Sequence, residues 1–164
     1  MKEIILNGSE IQRKVKRMAY QIYEANYKEK GVILAGISGQ GYKLAQLLAE
    51  QLQVIAELNV EIVELILDKE TPHLSEVTLS KELPKIKSTP VIIVDDVLNT
   101  GRTLIYSFKP FLDNKVKKME VAVLVDRSHG KFPVKPNFTG LSLSTTLNDH
   151  ITVSLSDEME VYLT

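Results

Sequence analysis

Three short runs of this chain carry no polar side chain at all: Gly31-Val32-Ile33-Leu34-Ala35-Gly36-Ile37, Val91-Ile92-Ile93-Val94 and Val121-Ala122-Val123-Leu124-Val125. A strand with one wet face alternates apolar and polar residues. A strand buried on both faces does not, and such strands belong to parallel sheets covered by helices. The stretches around the runs have helical periodicity. Leu44, Leu47, Leu48 and Leu52 mark a helix over about 42–53, and a second helix over about 102–114 follows the middle run. Upstream, Ile11, Val15, Met18, Ala19 and Ile22 mark an amphipathic helix over 9–26, with Ser9 as N-cap and Gln12 completing a capping box. Val60 to Leu67 reads as a further strand. Strand, loop, helix and strand recur in that order, which predicts an α/β fold with a central parallel sheet flanked by helices.

The remaining segments read differently. Residues 68–90 are polar, hold Pro72, Pro84 and Pro90, and form a long candidate loop of the kind that serves as a lid. After Asp126 come Pro133, Pro136 and Gly140, then two weak strands near 151–155 and 159–163, read as a small irregular cap. A length of 164 residues suits one domain over 1–164 with a full hydrophobic core. Lys and Arg number 20 against 21 Asp and Glu, so net charge exerts no overall pull toward nucleic acid or anionic membrane. The absence of cysteine excludes disulfides, thiolate metal sites and cysteine nucleophiles, and is compatible with the reducing cytoplasm, the expected location. No window approaches the ~20 apolar residues of a membrane span, and the N-terminus lacks the pattern of a signal peptide.

The chemistry concentrates after the middle run, in Asp95-Asp96-Val97-Leu98-Asn99-Thr100-Gly101-Arg102-Thr103. Ligands of an open parallel sheet bind beyond the carboxyl ends of its strands. Two adjacent carboxylates there repel each other unless a cation or hydroxyl donors offset the charge, and a ribose supplies two vicinal hydroxyls. The Thr-Gly turn presents backbone N–H groups to a phosphate, and the start of the next helix adds partial positive charge. Taken alone, the aspartate pair is better explained as solvated strand-end residues. The ordered string after four apolar residues favours a ribose-and-phosphate site.

Val91 to Thr103 resembles the phosphoribosyl pyrophosphate signature of the type I phosphoribosyltransferases. The likeness extends to the pyrimidine operon attenuator and uracil phosphoribosyltransferase (PyrR-like) family. Ile5-Leu6-Asn7, Ile11-Gln12-Arg13 and Arg17-Met18-Ala19 are similar to that family's first helix. Gly36-Ile37-Ser38-Gly39-Gln40-Gly41-Tyr42-Lys43-Leu44-Ala45 is similar to its pyrophosphate loop and following helix. Leu124-Val125-Asp126-Arg127-Ser128-His129, within Val121 to Pro133, is similar to its last strand and hood entry. Three positions depart from the pattern. Gly39-Gln40-Gly41 stands where the family usually has Thr-Arg-Gly. Leu67-Asp68-Lys69-Glu70-Thr71 stands in the region of an Arg-Asp-Asp run. Tyr20 stands where a His is common.

The resemblance implies a type I phosphoribosyltransferase fold with a small C-terminal hood from about 127–164. It also implies transfer of ribose 5-phosphate from phosphoribosyl pyrophosphate to a nucleobase, with uracil favoured. Asp95 and Asp96 are the expected catalytic residues, Val97 to Thr103 the donor-binding loop, and Ser38, Gly39, Gln40 and Gly41 the pyrophosphate loop. Asp126, Arg127, Phe132 and Pro133 are expected on the base and hood side. Arg127 meets either pyrophosphate or an acidic neighbour, and Phe132 and Pro133 either wall the base pocket or pack the cap on the core. Magnesium is the implied cofactor, held by Asp96 and by Asp126 through water. Lys69 or Lys81 replaces the missing loop arginine, and Gln40→Arg is expected to tighten pyrophosphate or raise turnover. A homo-oligomer is implied as well. The competing reading is a nucleotide-sensing regulator that binds RNA through the basic face Arg13, Lys14, Lys16 and Arg17. His73, His129 and His150 have no metal-ligand spacing and read as surface residues.

Overall fold

The computed structural model describes residues 1–83 and 86–164, except for the side chain of Lys87; Pro84 of the long loop thus lies outside the described residues. In chain order the elements are β1 (Glu3–Leu6), α1 (Gly8–Asn26), β2 (Gly31–Ile37), α2 (Gln40–Ile55), β3 (Asn59–Ile66) and β4 (Thr78–Leu79). A 3₁₀ turn (Ile86–Ser88) leads to β5 (Val91–Leu98), α3 (Arg102–Ser107), α4 (Lys109–Leu112), β6 (Met119–Asp126), β7 (Phe138–Ser142), β8 (Ile151–Ser154) and β9 (Glu160–Leu163). Six strands form one sheet in the order β4-β3-β2-β5-β6-β7, and β1-β9-β8 form a second, smaller sheet. All pairs in the large sheet are parallel except β3 with β4.

The apolar runs are buried on both faces, and successive residues feed two cores. Val32, Leu34, Ile92, Val94, Ala122 and Leu124 pack with α1, α2 and the small sheet. Ile33, Ala35, Ile37, Val91, Ile93, Val121 and Val123 pack on the other side with Leu104 and Phe111 of α3 and α4. This alternation into two layers is why no polar residue interrupts the runs.

Several elements differ from their expected form. The cap of α1 is Asn7, whose Oδ1 accepts from Glu10 N at 2.9 Å while Glu10 Oε2 accepts from Asn7 N at 2.8 Å. This capping box displaces the expected Ser9–Gln12 pair because it adds a carboxylate in the first turn, where the helix dipole favours it. The helix expected over 102–114 is two short helices. Pro110 has no N–H and its ring would meet the carbonyl of Tyr106 in a continuous helix, so the chain breaks at Phe108. The long loop holds β4, which pairs Leu79 with Leu65 and Thr78 with Ile66. The tail expected to be an irregular cap contributes β7 to the large sheet. Gly140 permits that close approach, since a Cβ there would lie 2.6 Å from Leu124 O. Of the two late strands, β9 pairs with N-terminal β1 and β8 pairs with β9, so the small sheet joins both ends of the described chain. Among the described residues no helix is long and apolar enough to cross a membrane.

Candidate active site

The sheet opens at one place. β2 pairs with β5 from Ile33↔Val91 to Gly36↔Val94 and no further, whereas β5 continues along β6 as far as Leu98↔Asp126. After β2 the chain moves toward β3, and after β5 toward β6, so the loops leaving β2 and β5 diverge. A switch in strand order of this kind is where open α/β sheets bind ligands. Asp95 and Asp96 are the first residues of β5 beyond the last β2 partner, inside a longer strand than the expected 91–94.

Ser38, Gly39, Gln40 and Gly41 lie directly against this opening. A Cβ on Gly41 would come to 2.9 Å from Val94 O, 3.0 Å from Asp95 Oδ1 and 3.1 Å from Asp95 Cα, so a glycine is needed for the loop to rest on the aspartate. Gly39 has φ 95° and ψ −133° and turns the chain into α2, a conformation that residues with a Cβ resist. Ser38 N donates to Leu65 O at 2.8 Å, and Ser38 Oγ to Glu64 Oε2 at 3.3 Å. Gln40 turns its side-chain carbonyl toward the small sheet, where Oε1 accepts from Leu155 N at 2.8 Å.

Val97 to Thr103 complete the other wall. Val97 and Leu98 finish β5. Asn99 and Thr100 turn the chain, and Gly101, at φ 88° and ψ −1°, starts α3. Thr100 Oγ1 accepts from Arg102 N at 3.3 Å, while Thr100 O accepts from Lys131 N at 2.9 Å and Phe132 N at 3.1 Å. Since α3 spans six residues, its dipole is small, and loop N–H groups together with the Thr100 and Thr103 hydroxyls are the groups that could donate to an anion here. Arg102 reaches away from the turn: its Nη2 donates to Glu70 O at 2.8 Å and Lys69 O at 3.3 Å. It thereby holds the start of the 68–90 loop beside the site. Lys69 Nζ stands 3.7 Å from Asp95 Oδ1, whereas Lys81 Nζ pairs with Glu61 at 2.9 Å. Of the two lysines, Lys69 meets the aspartate pair.

The electrostatics of the pair follow from burial. Asp95 is 3% exposed, and its Oδ1 accepts from Asp96 N at 2.9 Å. Burial pushes the Asp95 carboxyl well above the usual carboxylate range. The neighbouring Asp96 raises it further, and the ammonium of Lys69 opposes the rise without cancelling it.

The hood-side residues take distinct places. Asp126 registers with Leu98, two positions beyond Asp96, and its Oδ1 accepts from Ser128 N at 2.8 Å. Ser128 has φ 60°, a left-handed bend at the entry to the hood. Arg127 is buried, and its guanidinium donates to Asn99 and to the 145–149 turn. Phe132 is half-buried, with its carbonyl oxygen 3.4 Å from where a Gly101 Cβ would stand, and Pro133 is exposed. His129 Nε2 lies 2.9 Å from Thr145 O, a tie within the hood that an isolated histidine in the sequence does not announce. Glu64 is a further site neighbour absent from the sequence reading; its one sequence signal is a carboxylate interrupting an otherwise apolar strand end.

Residues 1–158 match the family described as a phosphoribosyl transferase domain. Over 163 residues the chain is 34% identical to the Bifunctional protein PyrR of Brevibacillus brevis, covering 95% of this chain and 91% of that protein. It is 33% identical over 162 residues to the protein of the same name from Limosilactobacillus reuteri, covering 93% and 91%. Among solved structures, the hypoxanthine phosphoribosyltransferase of Trypanosoma cruzi superposes with a TM-score of 0.80 at 15% identity, covering 98% of this chain and 95% of that one. The Staphylococcus aureus enzyme of that name superposes with a TM-score of 0.73 at 22% identity, covering 88% and 79%. At these identities the structures speak for the fold.

Proposed function

The chain belongs to the phosphoribosyl transferase domain family, is a PyrR-like phosphoribosyltransferase within it, and on that premise we propose that it joins uracil to C1 of phosphoribosyl pyrophosphate and releases pyrophosphate. The observation that carries the reading is the opening of the sheet beyond Val94, where Gly41 of one loop rests on Asp95 of the other. A donor bound there has its ribose at the aspartates, its 5′-phosphate at 97–103 and its pyrophosphate at 38–41.

The transition state for this transfer carries positive charge on the ribose ring. It needs no covalent nucleophile, so the protein contributes position and electrostatics. Asp95 and Asp96 accept hydrogen bonds from the ribose hydroxyls and stabilise the developing charge. Lys69 leaves Asp95 for the departing phosphates, and the 68–81 segment closes over them. Among the described residues no group of three or more Asp, Glu, His or Cys forms a metal cage. Two carboxylates with hard oxygen donors suit magnesium, which keeps water and substrate phosphate in its shell. Asp96, with Asp126 through water, would hold it. When bound, the ion supplies charge neutralisation for the leaving group.

A panel of nucleobases with phosphoribosyl pyrophosphate and magnesium, read by pyrophosphate release, tests the assignment. Uracil is expected to be turned over fastest. Faster turnover of a purine would overturn the uracil reading and keep the transferase. A second activity, RNA binding in the service of pyrimidine-gene regulation, is favoured by the basic row on α1, where Arg13 and Lys16 are exposed and Lys14 is half-buried. Arg17 is drawn aside, its Nη2 donating to Gly140 O at 2.6 Å. Affinity for a leader RNA that falls steeply with salt supports this second activity, because phosphate contacts release counterions.

A further inference from the structure

Residues 98–100 of the donor loop are each tied to the segment 127–132. Arg127 N donates to Leu98 O at 3.1 Å, Arg127 Nη1 donates to Asn99 Oδ1 at 2.9 Å, and Lys131 N and Phe132 N donate to Thr100 O. The middle tie differs from the others because it joins two side chains. The same guanidinium continues into the hood. Its Nε and Nη2 donate to Thr145 Oγ1 at 2.9 and 2.8 Å, and Nη2 also donates to Asp149 O at 2.8 Å and Thr146 O at 3.2 Å. Arg127 is 8% exposed. A buried cation is costly unless it is fully hydrogen-bonded. Here the bonds come from two segments, the donor loop and the 145–149 turn, whose spacing the rigid fork therefore dictates. The partners Thr146 and Asp149 are braced in turn, since Asp149 Oδ2 accepts from Thr146 N at 2.8 Å. Asn99 itself is exposed, so hydrophobic packing does little to hold it.

We infer that Arg127 is a positioning residue for the transfer reaction. Through Asn99 it holds the donor loop in its phosphate-receiving conformation and sets that loop relative to the hood. The inference rests on the reading of 97–103 as the donor loop. Without the tie, the loop would be ordered at the moment of binding, and that entropy would be charged against donor affinity. The effect belongs to the donor and not to the nucleobase.

Asn99→Ala cuts the tie at an exposed residue and leaves the hood bonds of Arg127 in place. Its expected signature is a KM for phosphoribosyl pyrophosphate raised about ten-fold, the scale of one charge-assisted hydrogen bond, with a much smaller change in the uracil KM. Arg127→Lys keeps the charge and loses the fork, and is expected to raise the donor KM likewise. In the Asn99→Ala background, Arg127→Lys should add less to the donor KM than it does alone. An unchanged donor KM in folded Asn99→Ala overturns the inference, as does full activity in Arg127→Lys or strict additivity of the two changes. Failure of the underlying reading looks different: calorimetry then finds no binding of phosphoribosyl pyrophosphate with magnesium to the unmodified protein, whatever the variants do.

Discussion

At the scale of single residues, the site is built around a carboxylate held at the expense of stability. The folded-state pKa of Asp95 lies above its unfolded value, with burial the leading cause and Asp96 next. Such a group contributes stability that is full below the unfolded pKa, about 4, and is lost as pH rises through the folded value. Asp95→Asn removes the titration. It should therefore unfold at a higher temperature than the unmodified protein at about pH 7, with the gap closing toward pH 4, while turnover falls roughly 10²–10³-fold, as for loss of one preorganised electrostatic group. Thermal melts across that pH range, together with pyrophosphate release, check both halves. Gln40 illustrates the opposite case. Its Oε1 accepts from Leu155 N, and Leu155 is 7% exposed. Gln40→Arg, which the family pattern alone favours as a gain, puts a pure donor opposite that N–H. Leaving it unsatisfied should cost about 1–3 kcal/mol in urea unfolding, and Gln40→Glu, which keeps an acceptor, should cost less.

At the scale of elements, the site depends on how closely two loops approach and on how the proposed lid, residues 68–81, is fastened. The start of α2 rests on β5 because Gly41 has no side chain. Gly41→Ala would press a methyl against Val94 O and Asp95 Cα, both backbone atoms that move only with their elements. A cost of about 1–3 kcal/mol is expected, along with a raised donor KM; equilibrium unfolding and kinetics measure the two. The segment 68–71 is fastened internally, by Asp68 Oδ1 accepting from Glu70 N at 2.9 Å, and externally, by Arg102 at Lys69 O and Glu70 O. Arg102→Ala should leave the internal turn intact and release it from α3. Hydrogen exchange over 68–73 is then faster than in the unmodified protein, and an unchanged rate would mean that the arginine does not fasten the lid.

At the scale of the whole molecule, the donor would touch the loops after β2 and β5 in the middle of the sheet and the 68–81 segment that holds its edge strand β4, so its binding should be felt across several elements. At a concentration about 100-fold above its dissociation constant, phosphoribosyl pyrophosphate with magnesium should raise the free energy of unfolding by about 2.7 kcal/mol. Denaturation with and without the donor reads this directly, and the double variant Asp95→Asn, Asp96→Asn should lose the increment.

The sequence by itself determined the buried strands β2, β5 and β6, and it singled out the turn on which the proposed phosphate site rests. Both properties are local: a run such as Val91–Val94 has no polar residue to give to water, and Asp95 to Thr103 hold their turn chemistry within nine residues. It also determined that α1 would bury Ile11, Val15, Met18 and Ile22, since helical spacing alone collects them on one face. Tertiary structure decided the rest. The parting of β2 from β5 at Val94, the choice of Lys69 over Lys81, the bond from Gln40 to Leu155 and the span of Arg127 from Asn99 to Asp149 all join residues far apart in the chain. So does the pairing of β1 with β9, which Glu3↔Leu163 registers across nearly the full length of the protein. No local pattern encodes such contacts. They are selected when strand order and register are fixed by burying both faces of the sheet at once, and only then does a polar side chain acquire the partner that gives it a role.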